Sequence, residues 1–340
     1  MKCVLTLTGA LLLFSPNVEA EPETDYNLPE LESVVSVESI HKYERPSTDD
    51  LNLLMQSLTA VPSQESELEE PTQIEPVESN YPWILYNIDT KEDGTIDFSQ
   101  YEYGSCVILN KEGFFLSAYH AVKSFVEERK EGNNNNLILI YDPINGYAFS
   151  ARSVIFSDET DIALGRIDAD IELSIETVKI AENNESETGI VYSQFYNNIY
   201  HETLRKIFES GGEFYDNSDG TITYINLNAP ILKDELGPTS TSGRFGGNPY
   251  ESWEYAALMK TIPGNSGSGV FNLGTNTLGG INRSIVEDFK KKKHYADFVC
   301  KSLGINEEQL NSLEEDTLAF YTGTEAIRNM LTKYIISPLE

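Results

Sequence analysis

From Tyr81 onward, short runs of β-branched, aromatic and aliphatic residues alternate with turn signals, a pattern that predicts strands joined by hairpins. "SCVILNKEGFFLSA" predicts a hairpin turning near Gly113, and "LILIYDPINGYAFSARSVIF" a second at Asn145-Gly146. "EFYDNSDGTITYINL" repeats the device at Asp219-Gly220, and "GVFNLGTNTLGGIN" turns around Gly274. The strands fall into two clusters, one ending near Ile180 and one starting after Gly189, with the polar "AENNESETG" between them. An all-β fold of two barrels, or of a pair of sandwiches, is expected. "TEAIRNMLTKYI" is helical instead: Thr324 is placed to cap it, and Ile327, Met330, Leu331 and Tyr334 share one face.

The first eighty residues read differently. Residues 1–20 carry Lys2, a mostly apolar run from Cys3 to Phe14 and a small residue at Ala20, the layout of a cleaved signal peptide. Residues 21–80 are rich in Glu, Pro and Ser and too poor in apolar surface to offset their ordering entropy, so they are expected to be mostly disordered. One island, "STDDLNLLMQSL", places Leu51, Leu54, Met55 and Leu58 on one helical face. No later stretch has the length of an integral membrane anchor, so a secreted or periplasmic chain is expected. Its folded part is residues 81–340, with one barrel over about 81–182 and the other over about 187–340.

Charge narrows the partners. The chain has 340 residues with 55 acidic against 24 basic side chains, a formal charge of −31. Such a field repels phosphate backbones and anionic lipid heads, which excludes nucleic acid as an expected partner. Without Cys3, only Cys106 and Cys300 remain; spacing leaves open whether they form a disulfide or stay free thiols. Neither belongs to a metal-ligand pattern, and no metal or cofactor is called for.

The candidate chemistry centres on "TIPGNSGSGVFN", Thr261 to Asn272. A nucleophilic hydroxyl needs a general base in reach and backbone N–H groups aimed at the developing oxyanion. Glycines around Ser266 permit the tight turn that points the amides of Gly264 and Ser266 inward. By itself the stretch also reads as a glycine-rich hairpin. Of the four histidines, His41 lies in the acidic segment, His294 follows four lysines and His201 sits in a surface-helix pattern. His120 follows the apolar strand of "GFFLSAYHAV", where it is either a core histidine bonded to backbone or a base. In "SDETDIALGRID", Asp161 opens a buried run and is either a strand-start cap or the partner of an imidazole. The conjunction His, Asp, Ser, each at a strand edge, favours the catalytic reading of all three.

With those motifs the chain resembles the trypsin-like (chymotrypsin-fold) serine peptidases over about Ser105 to Tyr334. "LSAYHAV", "TDIALGRID" and "PGNSGSGVFN…LGGIN" are similar to the family's histidine, aspartate and serine motifs, with Tyr119 bulkier than the usual alanine. The resemblance implies two six-stranded antiparallel β-barrels with a cleft between them. It also implies a triad of His120, Asp161 and Ser266, and an oxyanion hole of Gly264 and Ser266. Asn265 stands where digestive members carry the aspartate that pairs a newly cut amino terminus, and Gly269 where proline is usual. The chain is closer to bacterial members with "GNSGG" or "GNSGSP", such as envelope stress proteases and glutamyl endopeptidases.

That resemblance also implies a primary pocket walled by Lys260, Thr261, Asn282 and Arg283. Thr261 is similar to a threonine that holds an acidic side chain in glutamyl endopeptidases, whereas Asn282 replaces their histidine; Lys260 and Arg283 are then either ordinary exposed basic residues or a substitute source of positive charge for an acidic substrate side chain. Protein or peptide substrates follow, with an esterase or a catalytically silent binding protein as rivals. The basic block Lys290 to Lys293 is expected to be solvated or to latch the acidic segment between Glu65 and Glu78. A helical insertion is expected over about 286–316.

Overall fold

The structure, a computed structural model, describes residues 81–90, 96–132, 136–167, 173, 177–181, 190–196, 200–217, 222–232, 238–247 and 254–336. The signal peptide, the acidic segment with its helical island, His41 and the turn at Asp219-Gly220 lie outside them. Among the described residues, fourteen strands and five α-helices follow in order: β1 (Trp83–Thr90), β2 (Ile96–Ile108), β3 (Phe114–Ala118), α1 (Lys123–Lys130), β4 (Asn136–Asp142), β5 (Tyr147–Ser157) and β6 (Ile162–Ile167). Next come β7 (Ile190–Tyr196), α2 (Tyr200–Glu209), β8 (Glu213–Asp216), β9 (Ile222–Asn226), β10 (Pro238–Gly247), β11 (Glu254–Leu258) and β12 (Gly269–Asn272). The chain closes with β13 (Thr277–Glu287), α3 (Lys293–Leu303), α4 (Glu307–Asn311), β14 (Thr317–Gly323) and α5 (Thr324–Ile336).

The fold is mostly β, as the sequence pattern predicts. The strands β10-β11-β14-β13-β12-β7 form a closed barrel. The other sheet has the order β4-β1-β2-β3-β6-β5-β9-β8, and an additional β4–β5 pairing joins the ends of its first six strands. Its last two strands are a difference from two plain six-stranded barrels. They follow β7 in the chain, yet β9 pairs with β5, so a hairpin from the second half extends the first sheet.

Local sequence explains the turns. Gly113 and Gly146 take φ of +77° and +74° between β2 and β3 and between β4 and β5, and a non-glycine, Asn276, takes +54° between β12 and β13. The helix α2 buries Tyr200, Thr203, Leu204 and Ile207 at helical spacing, while Arg205 pairs with Glu202 and Glu209 on its outer face. In the helical insertion, Gly304 at φ +65° closes α3, and Asn306 with Gln309 forms a capping box on α4.

A shared core joins the two barrels. Leu116 and Leu164 from the first meet Phe271 and Ile281 from the second, and α5 closes the seam with Ile327 and Leu331. Each such aliphatic side chain contributes about 2 kcal/mol on full burial. This seam fixes how the ends of β3 and β6 face the loop before β12, where the site lies. Among the described residues, no helix is long and apolar enough to cross a membrane.

Candidate active site

The register of β3 against β6 places the histidine and the aspartate. Ala118 pairs with Ile162, so the chain leaving β3 and the chain entering β6 meet at one end of the sheet. His120 sits in the 3-10 turn Tyr119–Ala121 that follows β3, and Asp161 immediately precedes β6. Asp161 holds the left-handed φ of +52°, which turns its carboxylate back over the turn. Its main-chain oxygen accepts the N–H of Tyr119 at 3.1 Å, Oδ1 accepts the N–H of His120 at 2.9 Å, and Oδ2 meets Nδ1 of His120 at 2.8 Å. Three contacts thus lock one acid to one turn. Asp161 is 8% exposed, so its carboxylate depends on these donors in place of water. Tyr119, the bulky departure in the histidine motif, is buried and stacks on Phe156 at 4.5 Å. Its burial pushes the phenol up to about 12.

Ser266 lies in the loop joining β11 to β12, and that loop is stitched from within. The N–H of Asn265 donates to Ile262 O at 3.1 Å, and that of Ser268 to Asn265 O at 3.0 Å. The side chain of Asn265 donates to Thr261 Oγ1 at 2.5 Å and accepts from the Ser268 hydroxyl. Gly267 N–H donates to Asn282 O at 2.8 Å, and Asn282 N–H returns to Ser268 O at 2.9 Å. Gly264 and Gly267 take φ of +94° and +91°, values that L side chains resist. Among the described residues, the N–H groups of Gly264 and Ser266 donate to no protein acceptor.

The loop is then pinned to the first barrel. Ser105 N–H donates to Ser266 O at 2.8 Å, and Ser105 Oγ donates to Gly264 O at 2.8 Å. Gly104, the residue before, sits in a tight place: a Cβ there would lie 3.0 Å from Ser266 O and 3.1 Å from Cβ of Ala121, so these neighbours would have to give by a few tenths of an ångström. Ser266 and the residue after His120 therefore flank one glycine. Ser266 is half-buried, and its hydroxyl donates a long hydrogen bond to the carbonyl oxygen of Arg283 at 3.4 Å.

The residues expected to wall a primary pocket have the following places. Lys260 is exposed, whereas Thr261 is buried and its hydroxyl serves Asn265. Asn282 is buried in the second barrel and donates through Nδ2 to Ser193 Oγ and Ser268 Oγ, each at 2.8 Å. Arg283 directs Nη1 to Glu254 at 2.7 Å and Nε to Asp161 at 3.4 Å. His201 and His294 are exposed, on α2 and α3. In the basic block, Lys290 donates to Leu313 O, Lys291 pairs with Asp288 and Lys293 with Asp297. Gly269, in the place of a proline, packs where a Cβ would lie 2.5 Å from the Phe271 ring and 2.9 Å from Val107. Sequence reasoning missed Ser105, Gly267 and Glu254. The glycine was in the quoted motif, but its partner strand was not legible.

The arrangement is that of a trypsin-like fold: a closed barrel, a second sheet, and a histidine–aspartate pair facing a serine loop across their seam. The chain belongs to the trypsin-like peptidase domain family, whose model matches residues 104–281, and the match supports a serine peptidase. The match opens at Gly104 and takes in His120, Asp161 and Ser266. No curated protein matches the chain.

Proposed function

We propose that this protein is an exported serine endopeptidase that cleaves peptide bonds by acyl transfer to Ser266. His120 accepts the hydroxyl proton and later delivers it to the leaving amine. Asp161 holds the imidazole with Nδ1 protonated and stabilises its charged form. The amides of Gly264 and Ser266 take the oxyanion of the tetrahedral intermediate, a contribution of roughly two to three orders of magnitude per donor in comparable enzymes. Hydrolysis of the acyl-enzyme by water, with His120 as base, frees Ser266 for the next cycle.

The observation that carries this reading is the doubly bonded His120–Asp161 pair, at 2.9 and 2.8 Å, set beside a serine loop anchored on Ser105. Two otherwise unspent amides at Gly264 and Ser266 complete the chemistry. Export rests on the leader pattern of residues 1–20. A fluorophosphonate probe tests the assignment. The expected result is covalent labelling of the wild-type protein that is lost in Ser266→Ala and reduced by about 10⁶ in His120→Ala. A folded protein that takes no label overturns it in favour of a binding scaffold.

A further inference from the structure

Glu254 enters no motif, yet it reaches the site through Arg283. Along β13 and β14, Asn282 pairs with Tyr321 and Ser284 with Phe320, which leaves Arg283 as the extra residue of a β-bulge. A bulge re-aims the side chain it carries. Here the guanidinium leaves the sheet and spans two carboxylates, one from each barrel. Nη1 lies 2.7 Å from Oε1 of Glu254, at the start of β11, while Nε lies 3.4 Å from Oδ2 of Asp161. That oxygen is the one that meets Nδ1 of His120 at 2.8 Å.

The two distances decide which interaction wins. The Glu254 contact is a charge-assisted hydrogen bond, whereas the Asp161 contact lies beyond hydrogen-bond length and acts as a looser ion pair. Asp161 and Glu254 are 8% and 9% exposed, so water screens their two carboxylates weakly, while the Arg283 side chain keeps 32% of its surface open to solvent. An arginine alone beside Asp161 would cancel its charge and compete for Oδ2. With Glu254 in place, the three groups sum to one negative charge, which an imidazolium at His120 neutralises. Resting on the proposed peptidase reading, we infer that Glu254 is a positioning residue: by holding Arg283 it leaves Oδ2 of Asp161 to His120.

The test is a suppression experiment read by the rate of fluorophosphonate labelling, which needs no knowledge of the substrate. Glu254→Gln removes the stronger anion, so Arg283 moves onto Asp161. The maximal labelling rate is expected to fall at least tenfold, with half-saturation by the probe changed less than twofold. Adding Arg283→Met removes the competing cation and is expected to restore the rate to within threefold of wild type. A merely structural role predicts the opposite order, with the double variant slower than the single one. A Glu254→Gln rate within twofold of wild type, or a folded double variant no faster than the single one, overturns the inference. Should Glu254→Gln fail to fold, the double variant decides: a rate within threefold of wild type supports the inference and a slower one overturns it. Wild-type protein that takes no label removes the peptidase reading and this inference with it. Labelling that is equal in all variants removes the inference alone.

Discussion

Ser105 holds the two halves of the site together: its N–H donates to the carbonyl oxygen of Ser266 at 2.8 Å, and its own carbonyl oxygen accepts the hydroxyl of Ser117, also at 2.8 Å. The strand carrying Ser117 leads straight into the turn of His120, and the loop carrying Ser266 comes from the other barrel. A short chain of hydrogen bonds therefore sets the turn of His120 and the loop of Ser266, the proposed base and nucleophile, on one frame.

Gly267 is the contact on which that frame closes. A Cβ there would stand 2.0 Å from Ser105 O and 2.4 Å from Ser117 Oγ, and its φ is +91°. Gly267→Ala is expected to lose about 1–3 kcal/mol from backbone strain, with the clash adding to it. Because the loop must lift off Ser105, fluorophosphonate labelling should fall at least a hundredfold. Gly132→Ala is the control. Its φ is +83° but nothing lies within 4 Å of the added carbon, so about 1 kcal/mol is lost and labelling stays unchanged. Thermal unfolding alongside probe labelling separates the two outcomes, and equal labelling in both variants would refute the role given to Gly267.

Much of this was legible in the sequence because its signals are local. Alternating apolar runs with glycines at Gly113 and Gly146 define hairpins whatever surrounds them, and "GNSGSG" announces a loop that main-chain groups line. The α2 helix was less plain, since "YHETLRKIFE" interrupts strand patterns with one narrow apolar face. The crossing of β8 and β9 to the first sheet was not legible, because an edge pairing between β5 and β9 is chosen by the assembled sheet. Glu254 was hidden for the same reason. A single acid at the head of "EYAAL" signals nothing until the bulge at Arg283 turns a cation toward it.

In the mature protein, with the leader proposed for residues 1–20 removed, Cys106 and Cys300 give a direct check on the packing. Cys106 is wholly buried in β2 and Cys300 is partly exposed on α3, and both are free thiols. Burial pushes the Cys106 thiol well above its ordinary range, which suppresses the thiolate that reacts. Ellman's reagent at pH 8 is expected to titrate one thiol in the native protein, removed by Cys300→Ser, and two in denaturant. Two native thiols, or none in denaturant without reductant, would contradict this placement.

Asn265 marks where the chain parts from the activated digestive pattern, and its surroundings say what the exchange would cost. It is 1% exposed, with Nδ2 bonded to Thr261 Oγ1 and Oδ1 accepting the Ser268 hydroxyl, so its neighbours at both ends are neutral. Asn265→Asp buries an anion there. Thr261 can rotate its hydroxyl to donate, which offsets part of the desolvation, and a net loss of about 2–3 kcal/mol at neutral pH is expected. The loss should shrink on acidification, because a protonated carboxyl is neutral and again offers one donor and one acceptor. Urea unfolding of the variant and wild type at pH 7 and pH 4 measures the difference. Equal penalties at both pH values would mean that the anion finds a cation in the loop, and the neutral lattice built on Thr261, Asn265 and Ser268 would have to be abandoned.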